Sequence, residues 1–272
     1  MSLRLARADD LPAVQAFLRA HEASSIFPLA NMAGDGPSSQ KLWLTGGAAV
    51  EGVIALGASG FVMPQWPGLD AAEVMRALSG ERIGALVGDA AQVTALCASL
   101  PGRPRHLSRE PLCTLDLSDL ILPEPDGTRL APIRPKDAEI VISYRAAFDV
   151  ETMSEPPGSA RAKAELDVGR WLRAGTHRLL WQGKRPVALT GLNARLADVV
   201  QVGGVYTPPG LRGRGFARRA VAWHLAEARQ AGARRATLFA ANEPALRAYR
   251  AIGFSQVGWM GLALLPHAVT LP

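Results

Sequence analysis

The residues of this chain with the clearest chemical meaning are Arg212, Gly213, Arg214 and Gly215, an alternation of arginine and glycine between two unlike stretches. Before them, Val199 to Tyr206 is apolar and β-branched, as a buried strand is. Pro208, Pro209 and Gly210 end that strand, because proline cannot donate to a ladder and glycine opens the turn. After them, Phe216, Ala220, Val221, Trp223 and Leu225 fall mostly on one stripe of a helix running to Gln230. A glycine turn at a helix start leaves several backbone N–H groups without intrahelical partners, aimed where the positive end of the helix dipole points. Such a turn binds phosphate: the glycines let an anion approach the backbone, and Arg212 and Arg214 add charge. Four such residues alone would equally suit a solvated basic turn. The strand, the proline stop and the long helix around them favour the anion site.

Other nucleotide loops fit less well. No Gly-Lys-Ser or Gly-Lys-Thr follows, and a G-x-G-x-x-G fingerprint counted from Gly213 needs a small residue where Arg218 stands. Further on, Arg235 to Ala240 reads as a short strand, and a helical run follows it. Asn242 and Tyr249 are seven residues apart in that run, roughly two helical turns, so both can face the same way. Asn242 is a good N-cap, and Pro244 lies early in the helix, where it is tolerated.

With both stretches in view, Arg212-Gly213-Arg214-Gly215-Phe216-Ala217 resembles the acyl-coenzyme A pyrophosphate loop, Arg/Gln-x-x-Gly-x-Gly/Ala, of the GNAT superfamily of N-acetyltransferases. Asn242 to Phe254 resembles the family's Asn-x-x-Ala-x-x-x-Tyr-x-x-x-Gly-Phe signature, and the resemblance spans about residues 128 to 265. It implies an N-acetyltransferase that moves the acetyl group of acetyl-coenzyme A to a primary amine by direct attack, without a covalent enzyme intermediate. In keeping with that, no serine or cysteine sits in a recognisable nucleophile motif. The resemblance also implies that the strand splays from its neighbour at Val205, Tyr206 and Thr207, leaving backbone groups for the thioester carbonyl and the pantetheine arm. Gly203 and Gly204 would permit that distortion, or would merely allow tight sheet packing. By the same resemblance Asn242 lies near the pantetheine arm and Tyr249 protonates the departing thiolate, a task suited to a phenol whose ordinary pKa is about 10.

The residue that takes the proton of the incoming ammonium is less defined. Glu151, Glu155 and Asp198 are the acids nearest the expected cleft, and water held by Gln201 is an alternative; Glu151 is the carboxylate chosen. Glu151 to Gly158 is the candidate substrate loop, since in the family the segment between the first strand and the following hairpins carries most acceptor specificity. Two other readings stay open. A non-catalytic acyl-coenzyme A sensor or scaffold would keep the glycine loop without needing Tyr249. A longer-chain acyl or aminoacyl transferase would use the same loop. The acceptor is expected to be a small-molecule amine, but amino acid, aminoglycoside, polyamine and protein amino terminus all remain open, as does the oligomeric state.

These residues must be positioned by a chain of 272 residues, 48% hydrophobic and 20% charged, which is long for one core and comfortable for two. The expected fold is α/β: two domains, each a mixed, mostly antiparallel central sheet flanked by helices, divided as residues 1–125 and 126–272. A repeat supports this. The strand, polar turn, aspartate and helix around Asp10 recur around Asp137, 127 positions later, and Arg82 to Asp89 echoes Arg235 to Asn242. The first half has no Arg/Gly loop between Ser59 and Leu78, so it reads as a degenerate copy that has lost coenzyme A binding. Formal net charge is +6, but the arginines are dispersed and aromatics are only 6%, too thin for a stacking platform, so nucleic acid is not an expected partner. Cys97 and Cys113 form no disulfide framework, and the five histidines show no metal-ligand spacing and read as surface or satisfied residues. No signal-peptide or spanning segment stands out, so the expected location is the cytoplasm, away from membranes.

Overall fold

The apolar, β-branched runs become strands and the one-sided runs become helices, in two sets. The computed structural model describes residues 2–34, 39–47 and 49–272. It divides into one unit of Met1–Leu112 with Val257–Pro272 and a second of Cys113–Gln256. Each is a mostly antiparallel sheet flanked by helices.

In the first unit β1 (Arg4–Leu5), β2 (Gln40–Thr45), β3 (Gly52–Gly57) and β4 (Phe61–Gln65) pair antiparallel in turn. Parallel pairing then joins β4 to β5 (Arg82–Asp89). The helices are α1 (Leu11–Ala20), α2 (Glu22–Ala33), α3 (Ala71–Ala77) and α4 (Ala90–Ser99). After α1 a second helix, α2, carries the chain on with Pro28 inside it.

The compact units part at 112/113 and again at 256/257, and the last strand accounts for the second parting. β12 (Ser255–Thr270) is one strand, paired antiparallel with β5 from Met260↔Asp89 to Thr270↔Arg82. Neither Gly258 nor Gly261 takes a positive φ, so nothing turns the chain there. A Cβ on Gly261 would stand 2.8 Å from that of Val93, so this glycine serves close packing on α4. Ala263 and Leu265 of β12 complete a core with Ile54, Val62, Leu86, Val93 and Leu96.

In the second unit the strand order is β6-β11-β10-β9-β8-β7. These are β6 (His106–Asp116, entering the unit at Cys113), β7 (Thr128–Pro132), β8 (His177–Gln182), β9 (Arg185–Arg195), β10 (Val199–Tyr206) and β11 (Arg235–Phe239). From β7 to β10 neighbours are antiparallel, and β10 with β11 is parallel. The pattern of the first unit, three antiparallel pairs and then a parallel one, is thus repeated. The repeat extends to the turns: Asp10 and Asp137 each accept from a backbone N–H three residues back, Arg7 at 2.7 Å and Arg134 at 3.0 Å.

Alternation along the strands splits the second core in two. Leu179, Leu189 and Tyr206 face α5 (Ala138–Thr152) and α6 (Pro157–Ala174) through Val141, Tyr144 and Val168. Leu180, Val187 and Ala188 face α7 (Phe216–Gln230) through Phe216 and Ala220. Val200 and Val202 pack with Val221 and Leu225 of α7 and with Leu246 and Tyr249 of α8 (Glu243–Arg250). No helix among the described residues is long and apolar enough to cross a membrane.

Candidate active site

The site begins where two parallel strands part. Pairing of β10 with β11 runs Val199↔Arg235, Val200↔Ala236, Gln201↔Thr237 and stops, whereas β10 stays paired with β9 as far as Tyr206↔Leu189. From Val202 onward β10 therefore has no ladder on its β11 side. A bulge lies within that stretch, since Gly203 pairs Gly191 but Tyr206 pairs Leu189. Gly204 sits in it at φ 62, a conformation other residues adopt only under strain. Gly203 is needed for space as well: a Cβ there would fall 1.8 Å from Asn193 Nδ2. Both sequence readings of this glycine pair, distortion and close packing, hold at once, one for each residue.

The glycine loop follows within a few residues. Gly213 has φ 78, and Gly215, at φ 76, is the N-cap of α7 and has no side chain to accept from its first-turn N–H groups. Those groups and the helix dipole are the fit for an anion. Phe216 is buried and anchors the helix start to Leu180 and Val187, and Ala217 leaves the next position small. The arginines are not equivalent. Arg214 is exposed, whereas Arg219 pairs with Asp126 at 2.9 Å and Arg212 is bound by Glu151.

Asn242 caps α8, its Oδ1 accepting from Ala245 N–H at 2.9 Å. Two turns on, Tyr249 is 7% exposed and meets Phe254 edge-on, ring centroids 6.1 Å apart. It belongs to the core on the α7 side of the sheet, opposite the α5/α6 face.

Glu151 lies on the α5/α6 face, in the last turn of α5, and not in an open loop; the expected loop 151–158 shrinks to residues 153–156. One of its carboxylate oxygens accepts from Tyr206 Oη at 2.9 Å, the other from Arg212 Nη2. Burial, then the Glu151 hydrogen bond and charge, push the Tyr206 phenol up to about 12. Arg212 is further held by the Thr207 carbonyl, at 2.9 Å from its Nε. The alternative acids are engaged elsewhere, Asp198 with Arg235 at 2.8 Å and Glu155 with Lys163 at 3.3 Å. Gln201 is 1% exposed and donates to the Val202 carbonyl at 2.7 Å, the first carbonyl beyond the end of the parallel ladder.

Two histidines read as surface or satisfied residues are buried and only partly satisfied; His177 Nδ1 lies 3.0 Å from Thr176 Oγ1. His177 is 1% exposed, stacked on Trp171 at 3.7 Å, and fills the space above Gly191, where a Cβ would stand 2.1 Å from its Nε2. Its Nε2, like His224 Nδ1, has no hydrogen-bond partner among the described residues. Burial holds both imidazoles neutral, His177 well below its ordinary value and His224 down to about 3. The signal available for His177 was its place at the head of a strand, opposite a glycine.

Residues 146–254 match the acetyltransferase (GNAT) family model. No curated protein matches the chain. Among solved structures, a GCN5-related N-acetyltransferase from Kribbella flavida is 20% identical with a TM-score of 0.58, over 91% of this chain and 95% of its own. One from Sphaerobacter thermophilus is 18% identical at 0.56, over 96% and 94%. A tandem GNAT protein from the clavulanic acid biosynthesis pathway is 14% identical at 0.56, over 100% and 99%. Identities this low speak for the fold alone. The family match falls on the segment that holds the parted strands, the glycine-led helix and the Asn242–Tyr249 helix. Residues 146–254, within the second unit, are thus a GNAT acetyltransferase family domain.

Proposed function

We propose that the second unit is an acetyl-coenzyme A-dependent N-acetyltransferase acting on a primary amine. The observation that carries this is the parting of β10 from β11 after Gln201, running directly into a helix led by Gly213 and Gly215. One element thus offers unpaired backbone for an amide-bearing arm and, a few residues on, bare N–H groups for a pyrophosphate. Acetyl-coenzyme A supplies the activated acyl group. Residues 202–206 would hold the arm and polarise its thioester carbonyl, a contribution worth about 3 kcal/mol for a single donor. Arg212 to Ala217 would hold the pyrophosphate, and Asn242 would fix the start of α8 beside the arm.

The two protons that leave the ammonium take separate routes. Glu151, on the α5/α6 face, would accept the first before attack; the second is passed on when the C–N bond forms and the C–S bond breaks. Tyr249, on the α7 side, would give its proton to the departing sulfur and regain one from the nitrogen through solvent. Acid and base thus lie on opposite faces of the sheet, so the two proton transfers do not compete for one group.

The first unit, in this account, is a copy without a donor site. At the place corresponding to α7, between its parallel-paired strands, stands α3, whose N-cap Asp70 already accepts from the N–H groups of Ala72 and Glu73. Those are the groups an anion would need, and the cap is itself negative. The gap beside β4 is likewise filled: a Cβ on Gly88 would meet the Pro64 carbonyl at 3.0 Å, Pro64 has no N–H, and Trp66 N–H donates to Gln92 at 2.8 Å. Thiol release from acetyl-coenzyme A, measured against a panel of primary amines, tests the reading. Amine-dependent release with an N-acetyl product supports it. Coenzyme binding without release on any amine would favour the sensor or scaffold instead.

A further inference from the structure

The guanidinium of Arg212 occupies a cation site built by other residues of the second unit. The Glu151 carboxylate accepts from its Nη2 and the Thr207 carbonyl from its Nε, while the Tyr206 ring lies beneath it with 5.7 Å from the guanidinium carbon to the ring centroid. Tyr206 Oη donates to the other Glu151 oxygen at 2.9 Å, which fixes the carboxylate's orientation. A carboxylate, an aromatic face and a carbonyl converging on one point select a positive charge. Arg212 also opens the glycine loop, so the same side chain is called on by a pyrophosphate at the α7 N-terminus. The ion pair with Glu151 is poorly placed to compete, since its partners are 49% and 36% exposed and solvent screens them.

We propose that Arg212 leaves Glu151 for the pyrophosphate when coenzyme binds, and that the vacated site of Glu151, the Tyr206 ring and the Thr207 carbonyl then receives the acceptor's cationic group. The acceptor is therefore a cation, bound through its ammonium, and its site opens only in the donor-loaded chain. This rests on the acetyltransferase reading and adds to it the charge class of the acceptor and the residue exchange that admits it. It also accounts for both oxygens of the chosen base being engaged: they hold a substitute for the substrate.

Calorimetry tests this without turnover, using coenzyme A as the anion and 1,4-diaminobutane as the cation. Glu151→Gln removes Arg212's competing partner, so the variant should bind coenzyme A about twofold to fivefold more tightly, the range for an exposed ion pair. The diamine should bind the wild type only in the presence of saturating coenzyme A, and Glu151→Gln should abolish that binding. Tyr206→Phe, which frees the carboxylate to swing, should weaken it. Equal or weaker coenzyme A binding by Glu151→Gln would mean that Glu151 braces Arg212 for the phosphates, and the exchange would be wrong. Diamine binding that ignores coenzyme A, or no diamine binding with coenzyme A bound, would remove the cation site. A wild type that binds no coenzyme A defeats both the exchange and the acetyltransferase reading, a result distinct from failure of the exchange alone.

Discussion

Tyr249 is held by packing rather than by its position at the surface: it is buried among Val200, Val202 and Leu246, with Phe254 at its edge. Tyr249→Phe keeps those contacts and removes only the phenolic oxygen. The expected result is a turnover lower by roughly 100-fold, the modest end of general-acid catalysis, with coenzyme A affinity within about twofold of wild type. Single-turnover thiol release and calorimetry separate the two. Unchanged release with chemistry rate-limiting would take Tyr249 out of the mechanism. A second prediction at this scale concerns His224, which burial and the neighbouring charges of Arg178 and Arg195 keep neutral down to about pH 3, with His177 depressed in the same sense by burial, His224, Arg145 and Arg178. In the unfolded chain both imidazoles take a proton near pH 6.5. The unfolded state thus binds more protons below that value, so stability is full above it and falls as pH drops from about 6.5 towards 3. The melting temperature should decline between pH 7.5 and 5.5, and His224→Gln should flatten the slope. An identical slope in the variant would contradict the assignment.

Among the elements, β10 does most to define the site, and its bulge is the feature to perturb. Gly204→Val puts a β-branched residue at φ 62, a strain of about 1–3 kcal/mol that straightening the strand would relieve. Straightened, β10 loses the geometry that parts it from β11, and coenzyme A affinity should fall roughly tenfold or more, about 1.4 kcal/mol, at a reduced melting temperature. A variant that is less stable yet binds coenzyme A normally would separate the bulge from the donor site. Much of this element was legible beforehand, because Gly203-Gly204, the Pro208-Pro209 stop and the Arg/Gly alternation are local backbone chemistry. Less legible was whatever depends on partners distant in the chain. Arg212 and Glu151 are 61 positions apart, so nothing local announces that the loop's first arginine neutralises the chosen base. Helix α2 carries a proline in its middle, which reads as a break. Nothing local marks Gly261 as the point where β12 packs close on Val93 and Ala90 of α4.

At the scale of the whole molecule, one pairing pattern occurs twice, and the proposed function places chemistry in only one copy. The duplicated turns at Asp10 and Asp137, and the echo of Arg82 to Asp89 in Arg235 to Asn242, were visible in the sequence; the repeated parallel pair after three antiparallel ones was not. The unequal part was visible too, as the missing Arg/Gly loop, but its physical basis needed Asp70, Pro64 and Gln92 in place. Composition could not assign the final strand, because β12 joins the first unit's core through Ala263 and Leu265, while the family signature just before it lies in the second. The number of donor sites is read directly by calorimetric titration of the intact chain with acetyl-coenzyme A, beside a Gly215→Glu variant that puts bulk and negative charge at the α7 N-cap. One site per chain in the wild type and none in the variant is the predicted result. Two sites would contradict the silent first unit, and no binding by the wild type would leave the Arg/Gly loop a solvated basic turn.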